Sequence, residues 1–418
     1  MATTATDLTD ETPVVIVGAG QGGVQAAASL REGGFGGPIT VVDGEPGLPY
    51  QRPPLSKAFL TGDGNRNLVD LRAEAFFDEN VISLRSGQWV REIDRVASKV
   101  VLDSGEHLDY AHLILATGAS PRILPVAGAS QEGVVVLRTL SDASALRVVL
   151  PTQGLRIVIV GGGFIGLEVA AVAAKIGHQV TIVETLPRLM ARAVSPELAG
   201  YVADVHRSHG TEILLGRRVV ALPGKSGRVR AVELDDGTRI EADLVLVGIG
   251  AVPNTSLAEQ ADLEVANGIV VDDQLRTTDP AISAIGDCAS FPSTHAACQA
   301  RLESVQNAVD QARHVATRLL TGSTEPYRSV PWFWTTQFDL RLQMVGIPQD
   351  NDERIIHGDP STGRFSVLRF HNGCLNTVES VNRPQDHVGG RKLLSANLNP
   401  TVEQLRQTEF KFDPRLYA

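Results

Sequence analysis

Short, uninterrupted apolar runs punctuate the chain: Val14-Val15-Ile16-Val17, Ile39-Thr40-Val41-Val42, Leu113-Ile114-Leu115, Ile157-Val158-Ile159-Val160, Val180-Thr181-Ile182-Val183 and Leu244-Val245-Leu246-Val247. Each is strand-sized and lacks the polar alternation of a half-exposed strand, which is the pattern of strands buried in a parallel sheet. Helix-like segments lie between them, beginning with an Ala-rich stretch that follows Gly23 and runs toward Arg31. Strand and helix therefore alternate from about Pro13 to Thr117, and the expectation is a doubly wound parallel sheet.

Two of the runs lead straight into a glycine-rich turn. After Val17 comes Gly18-Ala19-Gly20-Gln21-Gly22-Gly23, and after Val160 comes Gly161-Gly162-Gly163-Phe164-Ile165-Gly166. In such a turn the first Gly permits the tight bend, the second lets backbone N–H groups reach a pyrophosphate, and the third lets helix and strand pack closely. The helix N-terminus then faces the anion. An acidic residue able to take a ribose hydroxyl belongs about 20 residues further on. Asp43 follows Gly23 by twenty residues and Glu184 follows Gly166 by eighteen, each closing an apolar strand. Two pyrophosphate cradles imply two dinucleotides.

The second unit is inserted into the first. Leu113-Ile114-Leu115-Ala116-Thr117-Gly118 and Leu244-Val245-Leu246-Val247-Gly248-Ile249-Gly250 are buried strands ending in turns, one before and one after the second cradle. Asp103-Ser104-Gly105 and Asp235-Asp236-Gly237 read as hairpin turns of small antiparallel sheets in each half. After the insertion, Thr277 to Asp287 reads as a turn and a short buried strand that returns to the first sheet and ends in Gly286-Asp287. The segment from Leu48 to Lys57 carries Pro53 and Pro54, which fix their own φ and extend the residue before them, so it reads as a rigid active-site loop ending at a helix start. From Pro331 onward the pattern changes to Trp332-Phe333-Trp334, shorter alternating strands such as Phe365 to Phe370, and a terminal helix near Thr401 to Thr408. Residues 1–120 and 250–330 form the first dinucleotide-binding domain, 121–249 the second, and 331–418 a C-terminal α+β domain.

Composition narrows the function by exclusion. The chain has 418 residues, 43% apolar and 21% charged, the profile of a globular protein of two or three domains. Its apolar runs are too short for a membrane-spanning helix. Residues Met1 to Thr12 are polar and acidic, without the pattern of a secretory signal, so a cytoplasmic location is expected. A formal net charge of −10 argues against a general nucleic-acid binder. Cys288, Cys298 and Cys374 are too few and too irregular for a disulfide framework or a zinc site and read as small buried or partly exposed thiols. His206 and His209 sit three apart in a helix, but no third ligand lies near them; they read as solvated positions, and no metal is expected.

Together these features resemble the FAD-dependent, NADH-linked ferredoxin reductases that serve bacterial cytochrome P450 and aromatic-ring dioxygenase systems. The resemblance covers nearly the whole chain. Besides the two cradles it includes Arg52-Pro53-Pro54-Leu55-Ser56-Lys57, Ala116-Thr117-Gly118, Gly286-Asp287, Leu302-Glu303-Ser304-Val305-Gln306-Asn307-Ala308 and Pro331-Trp332-Phe333-Trp334. It implies an α/β fold with two Rossmann-like dinucleotide-binding domains, glutathione-reductase-like, with the NAD domain inserted in the FAD domain, plus the C-terminal α+β domain.

The resemblance also implies roles. FAD occupies the first cradle through Gly18, Gly20, Gly22 and Gly23, with contacts from Arg52, Lys57, Val90, Ala116, Thr117, Gly118, Arg138, Asp287 and Val305. Here the chain reads Asp43-Gly44-Glu45 where relatives commonly read Gly-Asp, which leaves Asp43 and Glu45 as rival ribose ligands. NADH occupies the second cradle, with Gly161, Gly163, Phe164, Ile165, Gly166 and Gly250. Glu184 there would accept from the adenosine ribose and repel a 2′-phosphate, favouring NADH over NADPH. Arg188 and Arg192 follow closely and read as helical surface charges. Lys57, paired with Glu168, would stabilise charge on reduced flavin, and Trp334 would border the flavin where electrons leave; these three are the candidate catalytic residues. The partner implied is a [2Fe-2S] ferredoxin, docking near a local basic patch of Arg72, Arg301 and Arg313 that steers despite the net charge.

Two rival functions share the architecture. A dithiol-disulfide reductase needs redox cysteines near the flavin, and Tyr50 to Gly62 has none. An NADH-binding sensor or signalling flavoprotein of the apoptosis-inducing-factor type shares the Lys57 and Glu168 equivalents, and stays open as the alternative.

Overall fold

The computed structural model describes residue 9, residues 11–62 and residues 69–418; the amino-terminal reading, so far as it rests on residues 1–8 and 10, lies outside the described residues. The chain forms two compact units, Met1–Gln51 with Arg66–Ser120 and Val252–Pro331, and Arg52–Asn65 with Pro121–Ala251 and Trp332–Ala418.

The first unit is built on a five-stranded parallel sheet in the order Ile282–Ala284, His112–Leu115, Val14–Val17, Ile39–Asp43, Ile82–Ser86. Val14–Val17 lies at the centre, and all four of its side chains are buried. That is why the run is apolar without alternation. The strand Ile282–Ala284 pairs with His112–Leu115, Ile282 opposite Leu113, so the chain does return to the first sheet after the insertion. Helices Gln21–Glu32 and Val305–Thr321 pack on one another. A three-stranded antiparallel sheet over Val90–Asp94, Lys99–Leu102 and His107–Asp109 carries the turn at Asp103-Ser104-Gly105.

The second unit repeats the parallel sheet, in the order Glu212–Leu215, Gln179–Glu184, Arg156–Val160, Leu244–Val247, Val134–Val135. It also holds the proline loop, where Pro53–Ser56 form a 3-10 turn before the short helix Ala58–Thr61. Its last part is a five-stranded antiparallel sheet with the helix Pro384–Ser395 packed on it. The α/β architecture with two Rossmann-type sheets and a C-terminal α+β region is thus the fold of this protein.

Two expectations need correction here. The strand expected to be short and alternating at Phe365 to Phe370 runs over Arg364–His371, and its six inner residues are all buried. Both of its faces are covered: Phe365 packs edge-on against Tyr201 at 5.0 Å, while Ser366 on the other face donates to Asp386 of the helix Pro384–Ser395 at 2.8 Å. His206, expected to be solvated, is fully buried, with Nε2 at 3.0 Å from Oε1 of Gln337. The strand Trp332–Gln337 covers that side of the helix Pro196–Ser208, and the loss of water lowers the imidazole pKa. His209 is exposed and stacks on Phe338 at 3.8 Å. Cys288 is buried, Cys298 and Cys374 are exposed, and all three are free. Among the described residues no helix is long and apolar enough to cross a membrane, and no group of three or more potential ligands could hold a metal ion.

Candidate functional site

The first cradle is shaped by contacts only glycine permits. Gly18 has φ +104°, and a Cβ there would lie 2.3 Å from the Ala116 carbonyl oxygen; one on Gly23 would lie 1.9 Å from the Gly18 carbonyl oxygen. The turn thus closes tightly against the helix Gln21–Glu32. Gly20 is the N-cap of that helix, no side chain caps it, and a Cβ there would meet nothing within 4 Å. The first-turn N–H groups are left for an anion, so the cradle fits a pyrophosphate. Asp43 ends the second strand, and its carbonyl accepts from Gln88 N–H at 3.0 Å. Glu45 accepts from the Tyr50 hydroxyl at 2.5 Å.

The remaining first-unit residues line up on neighbouring turns. Thr117 donates to the Asn254 carbonyl at 2.7 Å, and Gly118, at φ +69°, accepts from Asn254 N–H at 2.9 Å. Asp287 lies in the 3-10 turn Gly286–Cys288, where Gln311 accepts from Gly286 N–H at 2.7 Å. Val305 opens the helix Val305–Thr321 behind the Ser304 cap, and Val90 is buried at the start of its strand.

The three candidate docking arginines differ. Arg72 lies over the Phe76 ring at 5.3 Å, and Arg313 has a 60% exposed side chain on the helix Val305–Thr321. Arg301 departs from expectation: its side chain is only 10% exposed, because it donates to the Asp287 carbonyl at 3.0 Å and to Glu303 at 2.6 Å. It braces the Asp287 turn, and as a surface charge it contributes little.

The second cradle repeats the glycine logic. Gly161 has φ +107°, with the Gly248 carbonyl oxygen 2.4 Å from an added Cβ, and a Cβ on Gly166 would lie 2.4 Å from the Gly161 carbonyl oxygen. Gly163 is an open N-cap to the helix Phe164–Lys175, so a pyrophosphate fits here too. Gly250 has φ +103°. Phe164 packs on Phe333 with ring centres 4.6 Å apart, and Ile165 is exposed.

Glu184 closes the strand Gln179–Glu184 and accepts from Gly162 N–H at 2.6 Å and Leu186 N–H at 2.8 Å. The chain after it then folds back, Met190 N–H donating to the Gly162 carbonyl at 2.9 Å. Arg188 lies in this loop and not on a helix: its guanidinium donates to the Ala191 and Val194 carbonyls, each at 2.5 Å, which holds the loop's own turn. Arg192 is exposed on the same loop. At the loop's end Ser195 caps the helix Pro196–Ser208 and donates from N–H and Oγ to Glu379, at 3.0 and 2.6 Å. Glu379 is completely buried, and burial raises its pKa against the pull of Ser195 and Arg369.

Lys57 and Glu168 meet, Nζ to Oε1 at 2.7 Å. Glu168, on the helix Phe164–Lys175, is 3% exposed and also accepts from Thr335 Oγ1 at 2.6 Å and from the Ser56 hydroxyl. A buried carboxylate is costly unless each of its oxygens finds donors, and three donors from two segments, the proline loop and the strand Trp332–Gln337, supply them. Lys57 keeps 24% of its side chain exposed and donates to the Pro53 carbonyl at 3.1 Å. Arg52 donates to the Arg138 carbonyl at 2.7 Å, while Arg138 N–H donates to Asp142 at 2.9 Å. Along Trp332–Gln337 the strand alternation puts Phe333 and Thr335 toward the helix Phe164–Lys175 and Trp334 on the other face, 5.4 Å from Trp332. Ser56 and Thr335 were not singled out from sequence. Period-two alternation from Trp334 would have put Thr335 on the opposite face, but nothing local points to Glu168.

The pyridine nucleotide-disulphide oxidoreductase family matches residues 12–312, and a reductase C-terminal family matches residues 332–414. The chain is 48% identical over 397 residues to rhodocoxin reductase of Rhodococcus erythropolis, covering 95% of this chain and 92% of that protein. It is 39% identical over 390 residues to putidaredoxin reductase of Pseudomonas putida, covering 92% of each. Among solved structures, the ferredoxin reductase for the CYP199A2 system from Rhodopseudomonas palustris superposes with a TM-score of 0.94 at 44% identity, covering 98% of this chain and 100% of that one. The covalent putidaredoxin reductase-putidaredoxin complex superposes with a TM-score of 0.91 at 38% identity, covering 95% of this chain and 96% of that one.

Proposed function

This chain belongs to the pyridine nucleotide-disulphide oxidoreductase family, and we propose that it passes electrons from NADH through FAD to a [2Fe-2S] ferredoxin that supplies a cytochrome P450 or dioxygenase. The observation that carries this reading is the pair of glycine cradles, each opening onto an uncapped helix N-terminus. FAD, when bound, accepts a hydride and releases its electrons to a one-electron carrier. Residues 1–120 and 250–330 hold FAD and residues 121–249 hold NADH.

The chain's own residues bind and orient. Gly18, Gly20, Gly22 and Gly23 take the FAD pyrophosphate, Asp43 or Glu45 its ribose, and Arg52, Val90, Ala116, Thr117, Gly118, Arg138, Asp287 and Val305 its remaining length. Gly161, Gly163, Phe164, Ile165, Gly166 and Gly250 take NADH, with Glu184 selecting against a 2′-phosphate. Lys57, held by Glu168, would supply an ammonium that stabilises negative charge on reduced flavin. Trp334 would border the flavin on the side where electrons leave. Arg72 and Arg313 supply the basic patch for the ferredoxin. The reaction belongs in the cytoplasm, where thiols such as Cys288 stay reduced.

The test is NADH-driven cytochrome c reduction by the purified yellow protein, with and without an added [2Fe-2S] ferredoxin. The expected result is a ferredoxin-dependent increase. Rapid flavin bleaching by NADH with no increase across a panel of such ferredoxins would overturn the reading in favour of a sensor of the apoptosis-inducing-factor type.

A further inference from the structure

The carboxyl end of the strand Ile39–Asp43 carries a side chain that these roles leave unused. Gly44 follows Asp43, and a Cβ on it would lie 2.4–2.6 Å from ring atoms of Trp89. Gly44 is not in the left-handed region, so the indole and not the backbone requires glycine there. The ring's backbone is fixed on both sides. Trp89 N–H donates to Asp103 Oδ1 at 3.2 Å and its carbonyl accepts from Asp103 N–H at 2.8 Å, while Gln88 and Gly87 donate to the carbonyls of Asp43 and Glu45 at 3.0 and 3.1 Å. Yet Trp89 is 54% exposed, whereas Trp332 and Trp334 are each partly buried.

We propose that Trp89 is the stacking platform for the adenine of the dinucleotide on the first cradle. This rests on the reading that the cradle holds FAD with Asp43 or Glu45 on the adenosine ribose. The base is bonded to that ribose, so a carboxylate anchored there brings the purine within reach of a ring seated on the very next residue. A purine face on an aromatic side chain is favourable whatever the base edges do. Trp89 is already packed on Gly44 and tethered through its backbone, so little freedom is left to lose when the base arrives. The same contact explains why glycine stands between the two rival ribose ligands: any larger residue at position 44 would push the indole off its seat.

The experiment strips the flavin and titrates the protein with FAD, followed by flavin fluorescence, and with ADP, followed by indole emission. Trp89→Ala is expected to weaken both ligands about tenfold, and Trp89→Phe, which keeps a ring, less than about threefold. ADP should quench the parent's emission but not that of Trp89→Phe, which retains Trp332 and Trp334. Affinity of Trp89→Ala within twofold of the parent for both ligands overturns the proposal; Trp89→Gln gives the same reading if the alanine variant does not fold. Asp43→Ala and Glu45→Ala separate the two levels. If neither weakens FAD, the ribose assignment fails. If either does while Trp89→Ala does not, only the stacking role falls.

Discussion

The two cradles share a backbone and differ at the carboxylate. In each, the first glycine lies against a carbonyl of a neighbouring strand's turn, Ala116 in one and Gly248 in the other, and the last glycine lies against the first. Glu184, however, spends its oxygens on the cradle's own loop, on Gly162 and Leu186, and Met190 ties the following segment to Gly162. A ribose arriving there must exchange with or share those hydrogen bonds. The first cradle shows a different arrangement: Asp43 is followed by Gly44 locked under Trp89, and Glu45 is held by Tyr50. A fixed rim suits a cofactor that stays, and a carboxylate with replaceable internal partners suits a co-substrate that comes and goes on every turnover.

The largest effect should come from filling the glycine contacts. A side chain on Gly23 meets backbone at 1.9 Å and one on Gly166 at 2.4 Å, and backbone cannot swing aside as a side chain does. Gly23→Val is expected to purify colourless, with FAD content near zero by absorbance. Gly166→Val should purify yellow but with its NADH KM raised roughly 10- to 100-fold. Colour lost from the second variant and kept in the first would reverse the assignment of the cradles.

A smaller effect should separate charge from geometry at Glu184. Glu184→Ala removes both the repulsion of a 2′-phosphate and the acceptor for Gly162 and Leu186. The NADH-to-NADPH preference in kcat/KM is expected to shrink about 10- to 100-fold, which corresponds to about one charge-assisted hydrogen bond. Glu184→Gln keeps an acceptor without the charge, so it should lose the preference while recovering much of the NADH KM. An unchanged preference in both variants would mean that the carboxylate belongs to the loop alone.

How much of this was legible in the sequence follows from how local each cause is. Gly18, Gly23, Gly161 and Gly166 announce themselves because an apolar run, a tight turn and a helix start are contiguous. The Lys57–Glu168 pair is not contiguous, and the hydrogen bond from Ser56 to Glu168 already spans 112 residues. Only family resemblance could join them, and it gives no role to Ser56 or Thr335. His206 and the Phe365–Phe370 strand differ from the sequence expectation for one reason: both are buried by elements distant in the chain, the strand Trp332–Gln337, the helix Pro384–Ser395 and Tyr201. Arg188 failed differently, since a loop that consumes its own guanidinium has no periodic signature.

The smallest expected effect lies at the amino-terminal ends of the two sheets, where they differ again. The second sheet is clasped by Arg156 and Asp243 at 2.8 Å, and hydrogen bonding to Arg156 holds the Asp243 pKa down at about 2. The first sheet uses His112, which is 4% exposed and 2.9 Å from Ser283, beside a buried Arg318 that donates to the same hydroxyl at 2.7 Å. Burial, with Arg318 adding to it, lowers the imidazole pKa to about 3. The native form therefore refuses a proton that the unfolded chain takes up below its pKa of 6.5, so His112 costs stability progressively as pH falls from 6.5 toward 3. Asp243 acts lower: its contribution is complete above 3.8 and is lost as pH falls through about 2. Between pH 7 and pH 5, then, only the first sheet's end should respond. His112→Asn keeps a hydrogen-bonding group without the titration, and is expected to be about 1 kcal/mol less stable than the parent at pH 7. At pH 5 it should equal or exceed the parent, because the parent has by then lost up to about 2 kcal/mol. Thermal melts at the two pH values measure the crossing, and the acid response of the other histidines, buried His206 among them, cancels in the difference between the two proteins. Parallel melting curves, with the same gap at both pH values, would show that His112 does not set the acid sensitivity of the first sheet.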